Sequence, residues 1–372
     1  MQIPYSKPSI TNLEVDYVAR AACESWGAKA GSYVRDFEND FAKYLGVKYA
    51  VATSSCTGAS HLALAALGIG PGDEVIIADT NWLAVIAPIY YVGAKPVVLD
   101  IDEITWCLNT SLIENRISER TKAIIITHLY GNVGNLNDLI KISKKYDIYL
   151  IEDAAEAIGS EYNNKKVGTF GDFGVFSFHG SKTLTTGEGG MIVSDNEELI
   201  TKIRMLNNHG RTPQSYADFR SIALGYKYKM TDLQAALGIA QLSRVDELVV
   251  RKQQILDYYK SALLPNERMT MNPVQKNVKN GAWMPNLVFT QGSGINREKI
   301  MPHFRSRGID ARPFFWPLSS FQHFKLKIQD NPISHSVASR SVNLPSFHDI
   351  TNEQLDYVVS CINSLLDEAS FS

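Results

Sequence analysis

The sequence predicts an α/β fold, with a large domain built on a mixed sheet and a smaller α+β domain. Between about residues 48 and 195, short β-branched runs alternate with helical patterns, which is typical of strands buried on both faces of a sheet. A long helical pattern over 231–264 follows, and after it the composition becomes irregular and rich in proline. We therefore predict a large domain over 26–245 and a small domain over 246–372, with residues 1–25 associated with the small domain.

The elements of the large domain follow one another in a regular order. The predicted strands are the apolar runs KYAVATSS, DEVIIAD, KPVVLDI, KAIIITHLYG, IYLIED, GVFSF and GMIVSD. The predicted helices between them are ASHLALAALGIG, NWLAVIAPIYYVGA and NLNDLIKISKKYD. We expect GVFSF and GMIVSD, which flank a glycine-rich loop, to join the same sheet. The small domain is predicted to close with the helix TNEQLDYVVSCINSLLDEA, capped at Thr351.

Composition argues for an ordinary globular protein and against several classes of partner. Of the 372 residues 45% are hydrophobic and 20% are charged, and the formal charge of −2 gives no electrostatic footprint for nucleic acid or an anionic membrane. No secretory signal and no apolar run near the length of a membrane span is visible, so we expect a cytoplasmic protein. The cysteines form no CxxC pair, which argues against a zinc site or a disulfide framework: Cys23, Cys56, Cys107 and Cys361.

Three segments bring polar groups to the predicted edge of the sheet. TSSCTGAS, residues 53–60, lies between a strand and a helix, where free N–H groups bind anions; alternatively it is only a helix cap. Asp153 and Glu156 follow an apolar strand, where open α/β sheets bind ligands; alternatively they cap a helix. Lys182 precedes a glycine-rich loop over 183–190 and can form a Schiff base with an aldehyde; a solvated hairpin is the alternative. Together they supply the parts that pyridoxal phosphate needs: an anion cup, a carboxylate and a lysine.

Several long motifs, in order along nearly the whole chain, resemble one family. They are LGIGPGDEVI, YVGAKPVVLDID, HLYG, EDAAEAIGSEY, VGTFGDFGVFSFHGSKTLTTGEGGMIV and YKMTDLQAALGIAQL. On these motifs the chain is identified as a member of the DegT/DnrJ/EryC1/StrS family of pyridoxal-phosphate-dependent sugar aminotransferases. The resemblance implies fold type I, the aspartate aminotransferase-like fold of pyridoxal-phosphate-dependent transferases.

The resemblance implies two catalytic residues. Lys182 would anchor the cofactor covalently and later move a proton, and Asp153 would pair with the pyridinium nitrogen of the cofactor. Glu156 occupies a position near the 3-hydroxyl of the ring, where many relatives have glutamine. A few relatives carry histidine in place of the lysine and act as dehydratases, so Lys182 favours amine transfer.

The resemblance also implies how the rest of the cofactor is held. Trp82 matches the aromatic residue that stacks on the ring face; the alternative is a core tryptophan. The phosphate would be bound by Ser177, Thr57 and the backbone of Cys56. No metal ligand set is implied.

At two positions the chain departs from the family pattern, and this affects the residue roles that the resemblance implies. Lys227 stands where relatives have an asparagine that reaches the cofactor phosphate of the neighbouring subunit, and it either makes a charged version of that contact or turns away. The segment ARPFFWPLSSF resembles a substrate-facing RPFF-PLH pattern, with Ser319 in place of the histidine. It suggests Arg312, Phe314 and Trp316 as substrate residues, although Arg312 equally well forms a salt bridge within the small domain.

The expected reaction transfers an amino group from glutamate to C4 of a nucleotide-linked 4-keto-6-deoxy sugar. The segments EDAAEAIGSEY, SKTLTTGEGG and RPFF are most similar to members that aminate GDP-4-keto-6-deoxymannose. The family also implies a homodimer with shared active sites. Two alternatives remain: a cyclitol ketone or small phosphorylated ketone as substrate, and a non-catalytic, cofactor-binding regulatory protein. Lone histidines near the motifs are assigned no catalytic role: His128, His179 and His209.

Overall fold

The computed structural model describes residues 1–215, 218–326 and 331–370. Its strands, in chain order, are β1 (Tyr49–Thr53), β2 (Glu74–Ala78), β3 (Lys95–Leu99), β4 (Thr121–Thr127), β5 (Tyr149–Asp153), β6 (Glu161–Tyr162), β7 (Lys165–Lys166), β8 (Phe173–Ser177), β9 (Gly190–Ser194), β10 (Met269–Met271), β11 (Val278–Lys279), β12 (Asn286–Phe289), β13 (Arg312–Pro313) and β14 (Ser341–Asn343). Its α-helices are α1 (Asn12–Glu24), α2 (Ser32–Leu45), α3 (Cys56–Ala66), α4 (Leu83–Tyr91), α5 (Leu136–Tyr146), α6 (Glu197–Leu206), α7 (Asp232–Ser243), α8 (Val245–Leu263), α9 (Arg297–Ser306), α10 (Pro332–Ser339) and α11 (Asn352–Ser370).

The predicted large sheet is present and mixed, and its strand order is β1-β9-β8-β5-β4-β2-β3. The strands from β3 across to β8 pair in parallel, whereas β9 is antiparallel to both β8 and β1. Helices α3, α4 and α6 pack on one face, and α2, α5 and α7 pack on the other. Burial on both faces explains why these strands are continuous apolar runs rather than alternating patterns, which confirms the predicted α/β fold.

A second, smaller sheet lies towards the C-terminus. Its four strands are antiparallel in the order β10-β12-β14-β13. One hydrophobic core joins this sheet to α9, α11 and the second half of α8. The predicted cap of the last helix is present, because Gln354 N–H donates to Thr351 Oγ1 (3.2 Å) and Thr351 N–H donates to Gln354 Oε1 (3.0 Å). Among the helices described, none is both long and apolar enough to cross a membrane.

The helical pattern over 231–264, predicted to be continuous, is interrupted at Arg244. That residue leaves the helical conformation (φ −111°, ψ 8°), so α7 ends at Ser243 and α8 begins at Val245. The Arg244 guanidinium bonds to Glu14 Oε1 (2.8 Å) and to Glu247 Oε1 (3.0 Å). A tertiary contact with α1 thus accompanies a break that the apolar spacing does not reveal.

The domain boundary near residue 245 stays a prediction. Helix α8 contributes Val249 to the core beneath the large sheet and Tyr259 to the core of the small sheet. At the N-terminus, Ile3 bridges to Ile309 near the small sheet, while α1 packs on α7. The last two residues of the predicted small domain, 371 and 372, lie outside the described residues, as do 216–217 and 327–330.

Candidate active site

One cavity of about 650 Å³ opens at the carboxyl edge of the large sheet, where open α/β sheets bind ligands. The loops after β1, β2, β5 and β8 meet there with the segment that contains β13. Most of the residues predicted from the sequence line it: Cys56, Thr57, Trp82, Asp153, Glu156, Ser177, Lys182, Arg312, Phe314 and Trp316. Residues from distant parts of the chain are therefore brought into one site.

Lys182 lies in the turn after β8 and extends into this cavity. Its Nζ is 3.2 Å from Glu156 Oε1 and 3.7 Å from the centroid of the Trp283 ring. The side chain is only 13% exposed, so its ammonium relies on the carboxylate and on the negative face of the indole. The Trp283 ring is itself held, because its Nε1–H donates to Ser181 O (2.8 Å).

The glycine-rich loop after Lys182 allows close backbone contact. A Cβ on Gly190 would lie 2.5 Å from the backbone nitrogen of Cys56, too close for any side chain. Gly187 has a φ of +80°, a conformation that glycine adopts without steric cost. The loop therefore passes directly beside the first turn of α3, as its composition suggests.

Two buried carboxylates face the lysine. Asp153, at the end of β5, accepts from the N–H of Ala155 (3.0 Å), and burial raises its pKa, an effect that Lys182 opposes. Glu156 Oε2 accepts from the N–H of Tyr130 (2.8 Å). Burial also raises the pKa of Glu156, with Lys182 opposing the shift and Asp153 adding to it. Two buried carboxyl groups side by side favour the binding of an additional positively charged group.

The first turn of α3 forms the predicted anion cup. Ser55 caps the helix, with its Oγ accepting from Gly58 N–H (3.1 Å). Cys56 and Thr57 are the first two helical residues, and N–H groups at this position have no acceptor within the helix. Ser177, at the end of β8, lines the same part of the cavity. Burial raises the pKa of the Cys56 thiol well above its usual range, so the thiol stays neutral beside the cup.

Trp82 lies at the mouth of the cavity rather than in the core. It is the residue just before α4 and is 56% exposed, which excludes the alternative of a core tryptophan. Its backbone N–H donates to Asn81 Oδ1 (2.9 Å), and the Asn81 amide in turn bonds to Thr127 Oγ1 (2.9 Å). The indole packs against Phe315 with ring centroids 5.3 Å apart.

The three suggested substrate residues differ in what they present to the cavity. Arg312 forms the salt bridge that was the alternative interpretation, with its Nε 2.9 Å from Asp310 Oδ1, although it also lines the cavity. Phe314 is fully buried and packs edge-on against Tyr130, whereas Trp316 is 48% exposed.

Ser319, the departure from the family pattern, is bonded away from the cavity. Its Oγ donates to Asp79 Oδ2 (2.7 Å) and contacts His335 Nε2 (2.9 Å). It is not among the residues that line the cavity. The substitution therefore does not alter the described surface of the site.

Lys227 is exposed and does not line the cavity of its own chain. Partial burial and the nearby Lys229 and Arg211 hold its pKa below the usual value. This concentration of positive charge suits an anion, but contact with the cofactor phosphate of a second subunit stays a prediction.

Among the residues that sequence reasoning did not identify are Trp283, which lines the cavity, and Tyr130, which lies behind it. Trp283 lies in the irregular segment GAWMPN, which carries no motif that points to a ligand. Tyr130 lies within HLYG, quoted above as a family motif. Its left-handed backbone (φ +56°) is visible only in the structure, because nothing in the sequence indicates it. Its hydroxyl accepts from Phe315 N–H (3.0 Å), so Tyr130 links Glu156 to the segment that carries the suggested substrate residues.

The three histidines near the motifs differ in their surroundings. His128 is fully buried and pairs with Glu152 (3.0 Å) beneath the site, and His179 lines the rim of the cavity. His209 has a left-handed backbone (φ +61°) and lies in the connection after α6. Among the described residues, no group of three or more potential metal ligands is found.

The fold and this site define an α/β enzyme whose active site contains a mostly buried lysine. Comparison with known families makes the assignment more specific. A sequence model of the DegT/DnrJ/EryC1/StrS aminotransferase family matches residues 8–363, and the chain belongs to that family. This confirms the resemblance drawn from the motifs.

Relatives match the chain over nearly its whole length. The GDP-perosamine synthase of Escherichia coli O157:H7 is 38% identical over 98% of this chain and 99% of its own, and that of Caulobacter vibrioides is 35% identical over 98% of both. Among solved structures, Spr1654 from Streptococcus pneumoniae in its PLP-form has a TM-score of 0.92 at 27% identity, covering 99% of this chain and 100% of its own. The same protein has also been solved in a PMP-form.

Proposed function

We propose that this protein is a pyridoxal-phosphate-dependent aminotransferase that moves an amino group from glutamate to C4 of a GDP-linked 4-keto-6-deoxy sugar. The observation that carries this proposal is the position of Lys182, which shares one cavity with Asp153, Glu156 and the first turn of α3. The sugar is inferred from the relatives named GDP-perosamine synthase, which align with the chain from end to end.

The residues present fit the proposed cofactor. The amine of Lys182, the buried carboxylate of Asp153 and the N-terminal N–H groups of α3 match its aldehyde, ring nitrogen and phosphate in chemical type. The close approach of Gly190 to Cys56 keeps bulk away from the anion cup. When bound, pyridoxal phosphate supplies an electron sink that lets the Cα–H bond of the donor ionise.

Each residue has a separate task in this proposal. Asp153, buried at the end of β5, would pair as a carboxylate with a protonated ring nitrogen and hold that proton in place. Lys182 would anchor the cofactor and then move a proton as general acid and base. Glu156, bonded to the Tyr130 N–H, would orient the Lys182 amine.

The finer parts of the proposal concern the donor and the assembly. Glutamate as donor and a homodimer with shared sites are inferred from family membership. Lys227 is the residue we propose to reach the cofactor phosphate of the partner subunit, because it is exposed and lies among other positive charges. We also propose a cytoplasmic location.

The test is an amine-transfer assay with purified protein, pyridoxal phosphate, [¹⁵N]glutamate and GDP-4-keto-6-deoxymannose. We expect ¹⁵N in the sugar product by mass spectrometry with wild-type protein and with Lys166→Ala, a control that removes a lysine paired to Glu161 outside the cavity (3.4 Å). Lys182→Ala should give no product, because it lacks both the covalent anchor and the proton carrier.

The same assay separates the alternatives. Transfer to a cyclitol ketone or to a small phosphorylated ketone, without transfer to the nucleotide sugar, would contradict the substrate but retain the enzyme class. Cofactor binding without transfer from glutamate to any ketone would indicate a regulatory protein. Undiminished transfer by Lys182→Ala would refute the mechanism.

A further inference from the structure

Two large aromatic side chains in the cavity leave about half of their surface uncovered. Trp82 is 56% exposed and Trp316 is 48% exposed, and both line the cavity. Exposed aromatic surface at the mouth of a cavity indicates contact with a ligand. Trp82 already has a proposed partner in the cofactor ring, whereas Trp316 has none.

Trp316 is supported from behind by a buried arginine. The guanidinium carbon of Arg297 lies 3.7 Å from the centroid of the Trp316 ring. Arg297 is only 7% exposed and does not line the cavity. The indole therefore separates the guanidinium from the cavity and presents its other side to the ligand.

The hydrogen bonds of Arg297 are consistent with this supporting role. Its Nη2 donates to Phe314 O and to Ala338 O, both at 2.7 Å. Its Nε and Nη1 find no hydrogen-bond partner in the described part of the chain. A buried guanidinium without a carboxylate is costly, and stacking on an aromatic face is the interaction that offsets this cost here.

The backbone on both sides of Trp316 is also held. Phe315 N–H donates to the Tyr130 hydroxyl (3.0 Å), and Leu318 N–H donates to Asp79 O (2.7 Å). The indole is thus fixed in position before any ligand arrives, and preorganisation of this kind strengthens binding because little freedom is lost.

We propose that Trp316 is the surface on which the nucleobase of the substrate stacks, and that Arg297 is the positioning residue that holds its ring. This inference rests on the proposed function, in which the substrate is a nucleotide-linked sugar. The nucleobase is the part of such a substrate with a flat π face, and a base stacks on an indole whatever its hydrogen-bonding pattern. Arg297 does not contact the diphosphate, since the ring lies between it and the cavity.

The test measures binding of GDP, and separately of inorganic pyrophosphate, to the cofactor-loaded enzyme by titration calorimetry. Trp316→Leu keeps apolar bulk but removes the π face, and it should weaken GDP binding about 5- to 150-fold without weakening pyrophosphate binding. Trp316→Phe should retain most of the GDP affinity. Trp26→Leu, which removes a 69% exposed tryptophan outside the cavity, should bind GDP as wild type does.

Arg297 is tested with Arg297→Met and Arg297→Lys. Methionine removes the cation beneath the ring, so KM for the GDP-linked sugar should rise severalfold more than kcat falls, and lysine should restore part of the loss. A loss of pyrophosphate affinity in Arg297→Met would instead assign Arg297 to the diphosphate and overturn its role here. If Arg297→Met does not fold, the Trp316 variants still test the stacking surface, because Trp316 is half-exposed and its replacement should not prevent folding.

GDP affinity of Trp316→Leu within twofold of wild type would reject the stacking surface. If the wild-type enzyme still transfers the amine from glutamate to the GDP-linked sugar, that result leaves the proposed function intact. Failure of the wild-type enzyme to transfer the amine rejects the proposed function, and with it this inference.

Discussion

Replacement of Glu152 by glutamine should destabilise the protein well beyond what an isosteric change suggests. Glu152 is fully buried on β5, next to Asp153, and neighbouring residues of a strand point to opposite faces of a sheet. Its carboxylate accepts four hydrogen bonds: from His128 Nε2 (3.0 Å) and from the N–H groups of Gly168 (2.8 Å), Phe170 (2.5 Å) and Gly171 (2.8 Å). This one side chain therefore joins β4, β5 and the loop before β8 directly beneath the site.

The magnitude follows from these four donors. In Glu152→Gln an NH₂ group replaces one carboxylate oxygen and faces two of the four donors. Even if His128 moves its hydrogen to Nδ1 and accepts at Nε2, at least one buried N–H loses its acceptor, which costs about 1–3 kcal/mol. The remaining bonds lose a charged acceptor and weaken as well. We expect a total loss of about 3–5 kcal/mol, the sum of the unsatisfied N–H and the weakened remaining bonds.

The assay is urea unfolding of the cofactor-free protein, followed by circular dichroism. The control is Glu161→Gln, because Glu161 pairs with Lys166 and Lys279 (3.4 and 4.0 Å) in a half-buried position and should contribute less than about 1 kcal/mol. Cofactor affinity should fall in Glu152→Gln but not in the control Glu161→Gln, because only the first change displaces Asp153 together with its strand. A loss no larger than that of the control would refute this reasoning.

The pH dependence of the effect has a definite sign. Burial by itself raises the pKa of Glu152, but His128 and the N–H groups of Gly168 and Gly171 more than offset this and hold the pKa below its ordinary value of 4.5. A carboxyl with a lowered folded-state pKa contributes stability above its unfolded-state pKa and loses it as the pH falls through the folded-state pKa. The difference between wild type and Glu152→Gln should therefore shrink below pH 4.5.

Three further changes test the site. Because burial raises the pKa of Asp153, the folded protein holds that proton more tightly than the unfolded chain, and stability falls as the pH rises through the raised pKa. Asp153→Asn should abolish that pH-dependent loss in cofactor-free protein while lowering amine transfer about 10²–10³-fold; an unchanged rate would contradict its role. Tyr130→Phe leaves the Phe315 N–H without its acceptor, at about 1–3 kcal/mol, so amide exchange at Phe315 should accelerate, and unchanged exchange would count against the contact. Ser319→Ala removes a hydrogen bond to Asp79 and should lower the free energy of unfolding by about 1–3 kcal/mol without changing which ketone is aminated; a changed substrate range would return Ser319 to the site.

The strands and the chemically active residues could be read from local pattern. Apolar runs of β-branched residues predict β1 to β5, β8 and β9, because a strand buried on both faces must be apolar throughout. Asp153 and Ser177 each end such a run, and the carboxyl ends of parallel strands meet at one edge. The pattern therefore predicts that Asp153 and the Lys182 loop lie together at that edge, whereas the role of Ser177 is implied only by the family resemblance; the cavity contains all three residues.

Other features depend on contacts between segments that are far apart in the chain. Trp283 lies over the Lys182 ammonium although 100 positions separate them, and nothing near Trp283 in the sequence indicates this. Ser319 breaks a substrate motif, yet Asp79 holds its hydroxyl away from the cavity. Hydrophobic pattern and turn residues indicate only what each segment buries. Which side chains then face one another is set by the packing of the sheets and helices and by the connections between them.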